Sequence, residues 1–265
     1  MPARTGRARA GVRPSPAGGR RGLIAALSAL VALAAACGSS GHGGPPPRNA
    51  SATAEPLPTV VRAADFAGPV DNPWFPLTPG TTLTYTGTKD GKGARDVFTV
   101  TRETENVDGV TCVVVQDRLY LDGILAERTT DWYAQDRNGA VWYFGEATAT
   151  LAGNGDVTST DGSWRSGRDG ALPGVYMPGR PAVGQIFRQE YYRGHAEDHF
   201  QVLSLAAAVR VPATSTTAAL RTKEWTPLEA DTVDEKYYVQ GIGVVKELAV
   251  RGGPESLDLE SVTRS

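Results

Sequence analysis

The sequence predicts an all-β domain, an antiparallel meander of about 10 to 11 strands that forms one barrel or half-barrel. Asp-Gly or Asn-Gly pairs recur at residues 90–91, 108–109, 122–123 and 138–139, between runs rich in Thr, Val, Tyr and Trp. Such pairs between β-prone runs are strong hairpin signals. Beyond residue 70, no stretch of ten or more residues combines helical periodicity with helix caps.

The strands follow from the β-prone runs and from alternation such as that of Phe98 and Val100. They are expected near residues 81–88, 95–105, 110–121, 124–136, 140–149, 185–193, 199–211, 218–227, 232–240, 244–252 and 256–262. Gly80 and Gly184 are 104 residues apart, as are Gly139 and Gly243. This spacing leaves open whether the domain consists of two repeats.

The long connector at residues 150–182 is rich in Gly and Asp and is interpreted as a loop. Loops of this length in compact domains are usually functional or disordered. The connector is therefore a candidate lid over one opening of the barrel.

Residues 1–36 have the features of a signal peptide. Six arginines and no acidic residue precede an uncharged run at residues 23–36. That run is shorter than the roughly 20 residues that a transmembrane helix needs. Cys37 follows three alanines, and this pattern resembles a bacterial lipobox. The alternative is an ordinary secretory signal with an incidental cysteine.

The lipobox predicts lipidation at Cys37 and a protein anchored to the cell membrane on its extracytoplasmic face. Residues 37–69 are expected to form a flexible tether, since their Gly, Ser and Pro cannot bury a core. The β domain is then placed at residues 70–263. Whether export uses the general or the twin-arginine route stays open.

The net charge of the chain limits the kinds of partner that it is expected to bind. The chain has 27 basic and 29 acidic side chains, and removal of the six leader arginines leaves a net charge of about −8. Nucleic acid is not an expected partner, because its binding depends on Lys and Arg that neutralise phosphates. The protein is expected to bind the membrane only through the acyl chains on Cys37.

Cys112 is the only other cysteine, and it lies in the strand-like run Val110–Val115. Free cysteine is among the residue types most often buried. The sequence therefore predicts a buried and unreactive thiol at this position.

Three segments carry a resemblance to a family. They are Asn72–Gly80, the pair Asp131–Asp136 and Val141–Glu146, and Tyr237–Glu247. Together they resemble uncharacterised secreted or lipid-anchored proteins of high-GC bacteria. The resemblance implies an all-β domain and supplies no activity.

A metal site is one candidate, because His195 and His199 are the only histidines of the β domain. With Glu190 and Asp198 they have the residue types that bind zinc, and a hairpin could bring them together. The alternative is a solvated turn. No cofactor is expected. Strand carboxylates such as Glu103 and Asp131 are interpreted as an exposed polar face of the sheet.

Aromatic side chains suggest a binding cavity for an apolar or amphipathic small molecule. A turn that pairs Arg137 with Ala140 would place Trp132 and Tyr143 on one face, lining the interior. Trp164 and Tyr176, from the candidate lid, complete the predicted ligand-binding set. The alternative is a plain packed core, since small barrels fill their interior with side chains.

The favoured interpretation is a non-enzymatic, lipid-anchored protein of the envelope that binds such a small molecule. One alternative is a structural or protein-interaction module of the envelope. A second alternative is a metal-dependent hydrolase that uses His195 and His199.

Overall fold

The computed structural model describes residues 61–265, which form one antiparallel sheet of fifteen strands. The strands are β1 (Thr81–Lys89), β2 (Lys92–Val107), β3 (Val110–Leu121), β4 (Ile124–Gln135), β5 (Val141–Leu151), β6 (Val157–Ser159), β7 (Trp164–Arg165), β8 (Leu172–Met177), β9 (Ile186–Arg188), β10 (Glu190–Tyr191), β11 (His199–Val211), β12 (Thr214–Trp225), β13 (Val233–Val239), β14 (Gly243–Arg251) and β15 (Glu255–Arg264). The predicted all-β class is confirmed. The leader, Cys37 and the tether up to residue 60 lie outside the described residues.

Helix is confined to a single 3₁₀ turn at Ala63–Asp65 within the described part of the chain. No helix of residues 61–265 has the length and apolar composition needed to cross a membrane.

The sheet curls into a nearly closed barrel with one seam. Neighbouring strands follow the order β10-β8-β5-β4-β3-β2-β1-β15-β14-β13-β12-β11-β9, and β6 and β7 attach to β5. β1 joins the two meanders, because it pairs with β2 on one side and with β15 on the other. The two end strands, β9 and β10, are separated in the chain by Gln189 alone. Gln189 therefore marks the seam.

Gly174 of β8 allows close packing at this seam. A Cβ atom at position 174 would lie 2.1 Å from the carbonyl oxygen of Gln189. Glycine is the residue that lets one backbone approach another this closely. The opposite side of the seam is closed by the Gln189 N–H, which donates to the Asp198 carbonyl oxygen at 2.8 Å.

The two meanders begin in the same way, as the 104-residue spacing suggests. The Gly80 N–H donates to the carbonyl oxygen of Val100, and the Gly184 N–H donates to that of Val202, both at 2.8 Å. Both glycines have positive φ angles, 86° and 92°. Each one leads the chain into the first strand of its meander.

Three of the four predicted turns have the expected geometry. Asp90, Asp108 and Asp122 have φ angles near 50°, and each is followed by a glycine with positive φ. Positive φ at both central residues defines the type I′ turn, whose twist suits a two-residue hairpin. Asp-Gly pairs are favoured there because both residues tolerate this conformation.

The fourth turn, at Asn138-Gly139, differs from the prediction by one residue in register. Gln135 pairs with Val141, so Tyr133 faces Tyr143, and a bulge follows at Asp131. The Asp136 carboxylate accepts hydrogen bonds from the backbone N–H groups of residues 138 and 140, which lengthens the turn. The predicted pairing of Arg137 with Ala140 is therefore wrong.

The connector at residues 150–182 is not a structureless lid. It contains β6, β7 and β8, and all three pair with β5. Trp164 and Met177 are buried in the core. The prediction failed because β6 and β7 have three residues or fewer, too short to show a periodic pattern.

Side chains pack on both faces of the sheet. Tyr133, Tyr143 and Leu220 belong to the cluster inside the barrel. Trp132, Trp142 and Phe144 belong to a second cluster on the opposite face. Residues 61–69, which the sequence assigns to the tether, already contact this face, because the Phe66 ring meets Trp142 and Phe144 edge to face.

Candidate functional site

The interior of the barrel contains a cavity of about 250 Å³, here called the outer cavity. Strands from both meanders line it. His195 and Leu228 are exposed lining residues, so the opening lies beside the β10–β11 turn and the loop that follows β12. This cavity is the candidate ligand site of the described structure.

Carboxyl groups dominate the wall of the outer cavity. Twelve acidic residues of the described part of the chain line it, and nine of the fifteen strands supply at least one. They are Asp96, Asp117, Glu127, Asp131, Glu146, Glu190, Asp198, Glu224, Glu229, Asp234, Glu247 and Glu255. Of the lysines and arginines that the structure describes, Lys89 and Lys236 alone join them.

Both lysines already have carboxylate partners. Lys89 Nζ lies 3.0 Å from a carboxylate oxygen of Glu255. Lys236 Nζ lies 2.9 Å from Glu224 and 3.8 Å from Glu247. Within residues 61–265, the other nine acids of the wall form no salt bridge. The cavity therefore has a large excess of carboxyl groups without a basic partner.

Asp131 of β4 is one of the acids of this wall. Burial raises the pKa of Asp131 to about 8, and the negative charge of Asp117 adds to the rise. The Tyr143 hydroxyl donates a 2.5 Å hydrogen bond to Asp131 Oδ1, which opposes the rise by stabilising the carboxylate. Asp131 is only 5% exposed, so its interpretation as part of an exposed polar face is wrong.

Other carboxyl groups of the wall titrate near neutrality for the same reason. Burial raises the pKa of Glu127 to about 7 and that of Asp198 to about 6. Burial, reinforced by the charge of Glu247, raises the pKa of Asp234 to about 7. Desolvation penalises the charged form of an acid, and nearby negative charges add to the penalty. The wall therefore holds protons at neutral pH.

The remaining strongly shifted acids stand next to one another. Burial raises the pKa of Asp96 well above its ordinary value, and the adjacent Asp117 raises it further. The pKa of Glu146 is raised by burial and then by Glu190, and that of Glu190 by burial and then by Asp198. A cation among these groups would reverse the shifts, because an opposite charge nearby favours the ionised form.

Gln189, at the seam, adds an unused hydrogen-bond donor. Its side chain is 4% exposed and lines the outer cavity. Its amide nitrogen Nε2 has no hydrogen-bond partner among the described residues. Buried polar groups are almost always hydrogen-bonded, so an unpaired donor in a cavity wall is a place for a ligand atom.

A second, smaller cavity of about 120 Å³, here called the inner cavity, adjoins the outer one. Eight residues line both cavities, among them Tyr133, Tyr176 and Lys236. The side chains that line only the inner cavity are apolar or aromatic, such as Phe75 and Phe98. The inner cavity therefore has an apolar wall on one side and the shared acids where it meets the outer cavity.

The predicted ligand-binding residues are divided between the two faces of the sheet. Tyr143 and Tyr176 line the outer cavity. Trp164 packs edge to face against Tyr143, with ring centroids 5.4 Å apart. Trp132 lies on the opposite face, where Arg165 stacks over its ring. The prediction that Trp132 shares a face with Tyr143 is wrong, because the longer turn at residues 136–140 pairs Tyr133 with Tyr143.

The predicted metal-binding residues do not converge. Glu190, Asp198 and His195 line the outer cavity, and the His195 ring stacks on Tyr192. His199 does not line it. The His199 ring stacks on Trp225, and its Nδ1 pairs with the carbonyl oxygen of Glu197. No group of three His, Cys, Asp or Glu in the described part of the chain has the geometry to hold a metal ion.

Sequence reasoning missed the acids of the wall. A signal was present in β4, where Glu127, Thr129, Asp131 and Tyr133 alternate along one face. The aromatic end of that face indicates the interior, and the acids share it because successive residues of a strand point to opposite sides. The interpretation from sequence instead placed the polar side chains of a strand on its solvent-exposed face.

Comparisons with known proteins give only distant likenesses. No family model and no curated protein matches the chain. It is similar to the solved structure of an inferred exported protein with a YmcC-like fold from Bacteroides fragilis. The identity is 16% and the TM-score 0.42, over 72% of this chain and 99% of that one.

It is also similar to the structure of an inferred lipoprotein from Parabacteroides distasonis. The identity is 11% and the TM-score 0.37, over 72% of this chain and 98% of that one. Neither structure supports the expected link to proteins of high-GC bacteria, and neither assigns an activity to this chain.

Proposed function

We propose that the protein is a lipid-anchored envelope protein that binds a small organic cation in the outer cavity. The observation that carries the proposal is the surplus of buried carboxyl groups. Among residues 61–265, nine acids of the wall have no salt-bridge partner, while both lysines are already paired. A ligand with an ammonium group would supply the missing positive charge.

The chemistry of the wall favours a cation over the other classes of ligand. An anion would add to the negative charge of the cavity and would be repelled. A fully apolar ligand would leave the carboxyl groups without an opposite charge, and burying a charge without an opposite charge beside it is costly. The sequence-based proposal of an apolar or amphipathic ligand is therefore narrowed to an amphipathic cation.

The envelope location in this proposal rests on the leader. An arginine-rich start, an apolar run and Cys37 after three alanines are the features of a lipoprotein signal. An acyl anchor at Cys37 would hold the barrel near the outer face of the membrane, where it meets small molecules from outside the cell.

Titration calorimetry with three small molecules of equal chain length tests the proposal. The protein is the mature chain with Cys37→Ser, and the probes are butylammonium, butanol and butyrate. We expect saturable binding of butylammonium only. Binding of butyrate or butanol with similar affinity would contradict the proposal. Binding of none of the three would also contradict it and would favour the interaction module.

Two substitutions locate the site. Glu190→Gln removes an ionisable group from the wall and should weaken butylammonium binding about tenfold, the effect of about 1.4 kcal/mol of lost interaction. Glu103→Gln is the matched control, because Glu103 is exposed on β2 and does not line the cavity. Equal effects of the two substitutions would place the cation elsewhere.

A further inference from the structure

We propose that the ligand is an amphipathic amine whose apolar end, about the size of a phenyl ring, occupies the inner cavity. Its ammonium group would lie among the carboxyl groups of the outer cavity. This inference rests on the proposed function and deepens it, since it specifies the apolar end of the ligand in addition to its ammonium group.

The first support is the change of wall chemistry between the two cavities. The side chains confined to the inner cavity include Leu83, Phe98 and Ile242. The one polar side chain among them is Tyr85, and its hydroxyl already donates to the Val244 carbonyl oxygen at 2.9 Å. Asp96, Asp117, Asp131 and Glu247 also line the inner cavity, but they are shared with the outer cavity and lie where the two meet. The side of the inner cavity remote from these acids therefore suits an apolar group.

The second support is that the inner and outer cavities are continuous with each other. Tyr133 and Tyr176 line both cavities, and their rings meet edge to face with centroids 5.1 Å apart. Lys236 also lines both, but it is engaged by two glutamates. A single ligand can therefore extend alongside this tyrosine pair from one cavity into the other, with its charge on the carboxylate side. Tyrosine faces also attract an ammonium group.

The third support is the volume of the inner cavity. The inner cavity measures about 120 Å³. An apolar protein cavity of about 150 Å³ binds benzene. The two cavities together reach the lower end of the range of about 300–1,000 Å³ typical of small-molecule sites. The volume therefore fits one phenyl-sized group and excludes a long acyl chain.

The test compares 4-phenylbutylammonium with butylammonium by titration calorimetry on the mature chain with Cys37→Ser. The two probes differ by one phenyl ring at the end remote from the charge. Burying a side chain of phenylalanine size should tighten binding at least about tenfold. Equal affinities would overturn this inference and leave the proposed function standing. Binding of neither probe would overturn both.

A filled cavity gives an independent readout. Val244→Phe puts a ring into the inner cavity and should abolish the advantage of 4-phenylbutylammonium while butylammonium binds as before. Val250→Phe is the control, because Val250 is exposed on the same strand. Loss of the advantage in both variants would contradict the inference.

An enlarged cavity covers the case in which Val244→Phe does not fold. Phe98→Ala removes a ring from the wall of the inner cavity. The preference should then move from the phenyl amine to a larger naphthyl amine of the same chain length. An unchanged preference would show that the ring does not bind there.

Discussion

Glu127→Gln should stabilise the folded protein at alkaline pH and leave it unchanged in acid. Glu127 lines the outer cavity and makes no salt bridge in the described structure. Burial raises its pKa from an ordinary 4.5 to about 7, while Lys89 opposes the rise. Between these two values the folded state binds more protons than the unfolded chain. The free energy of unfolding therefore falls as the pH rises from about 4.5 to about 7.

The size of the effect follows from the displacement of the pKa. A displacement of one pH unit corresponds to about 1.4 kcal/mol, so Glu127 costs about 3 kcal/mol once the pH exceeds 7. Glutamine has nearly the shape of protonated glutamic acid and carries no charge. The substitution should therefore raise the free energy of unfolding by up to about 3 kcal/mol at pH 8.5 and by almost nothing at pH 4.

Urea unfolding at pH 4, 6 and 8.5 measures this difference directly, because a shift of the midpoint at constant slope reports stability. Glu103→Gln, on the exposed face of β2, should show no dependence on pH. A gain for Glu127→Gln that is equal at pH 4 and pH 8.5 would refute the reasoning. It would show that the substitution acts through packing and not through the buried charge.

Three further predictions concern the anchor, the thiol and the pH dependence of binding. Cys37→Ser should move the protein from the membrane fraction to the soluble extracytoplasmic fraction, and persistent membrane association would exclude the lipobox. Cys112 is fully buried, and burial raises its thiol pKa to about 12, so a thiol reagent should label it slowly until urea unfolds the chain. Fast labelling of the folded protein would contradict this. Butylammonium should bind more tightly at pH 8 than at pH 6, because a cation selects the ionised forms of Asp131 and Asp198, whose pKa values are about 8 and about 6. Calorimetry at constant ionic strength would show a flat profile if neither carboxylate contacts the cation.

Local signals in the sequence were sufficient to predict most of the fold. The Asp-Gly turns at residues 90, 108 and 122 determine their hairpins through backbone conformation, and the long strands between them show alternation. The short strands β6 and β7 carry no such signal, because they owe their existence to pairing with β5. The register at residues 136–140 depends on a side-chain cap by Asp136, which a dipeptide rule does not include.

The site was less predictable than the fold for a physical reason. Sequence patterns assign polar residues of a strand to solvent, and this holds when the interior is filled with apolar side chains. Here Asp131 and Glu127 share the inner face with Tyr133 because the barrel encloses a cavity. The existence of that cavity depends on closure at Gln189, which joins strands that no local pattern connects.

The seam affects where the barrel can open locally. β9 pairs with β11 over three residues, and β10 pairs with β8 over two, whereas most other neighbouring strands share far longer ladders. Local opening costs least where the fewest backbone hydrogen bonds are broken. The circumference of the barrel can therefore widen at Gln189 without disturbing either meander. Since Glu190 and Asp198 flank that point, widening there would carry two carboxylates outward and expose the cavity to incoming molecules.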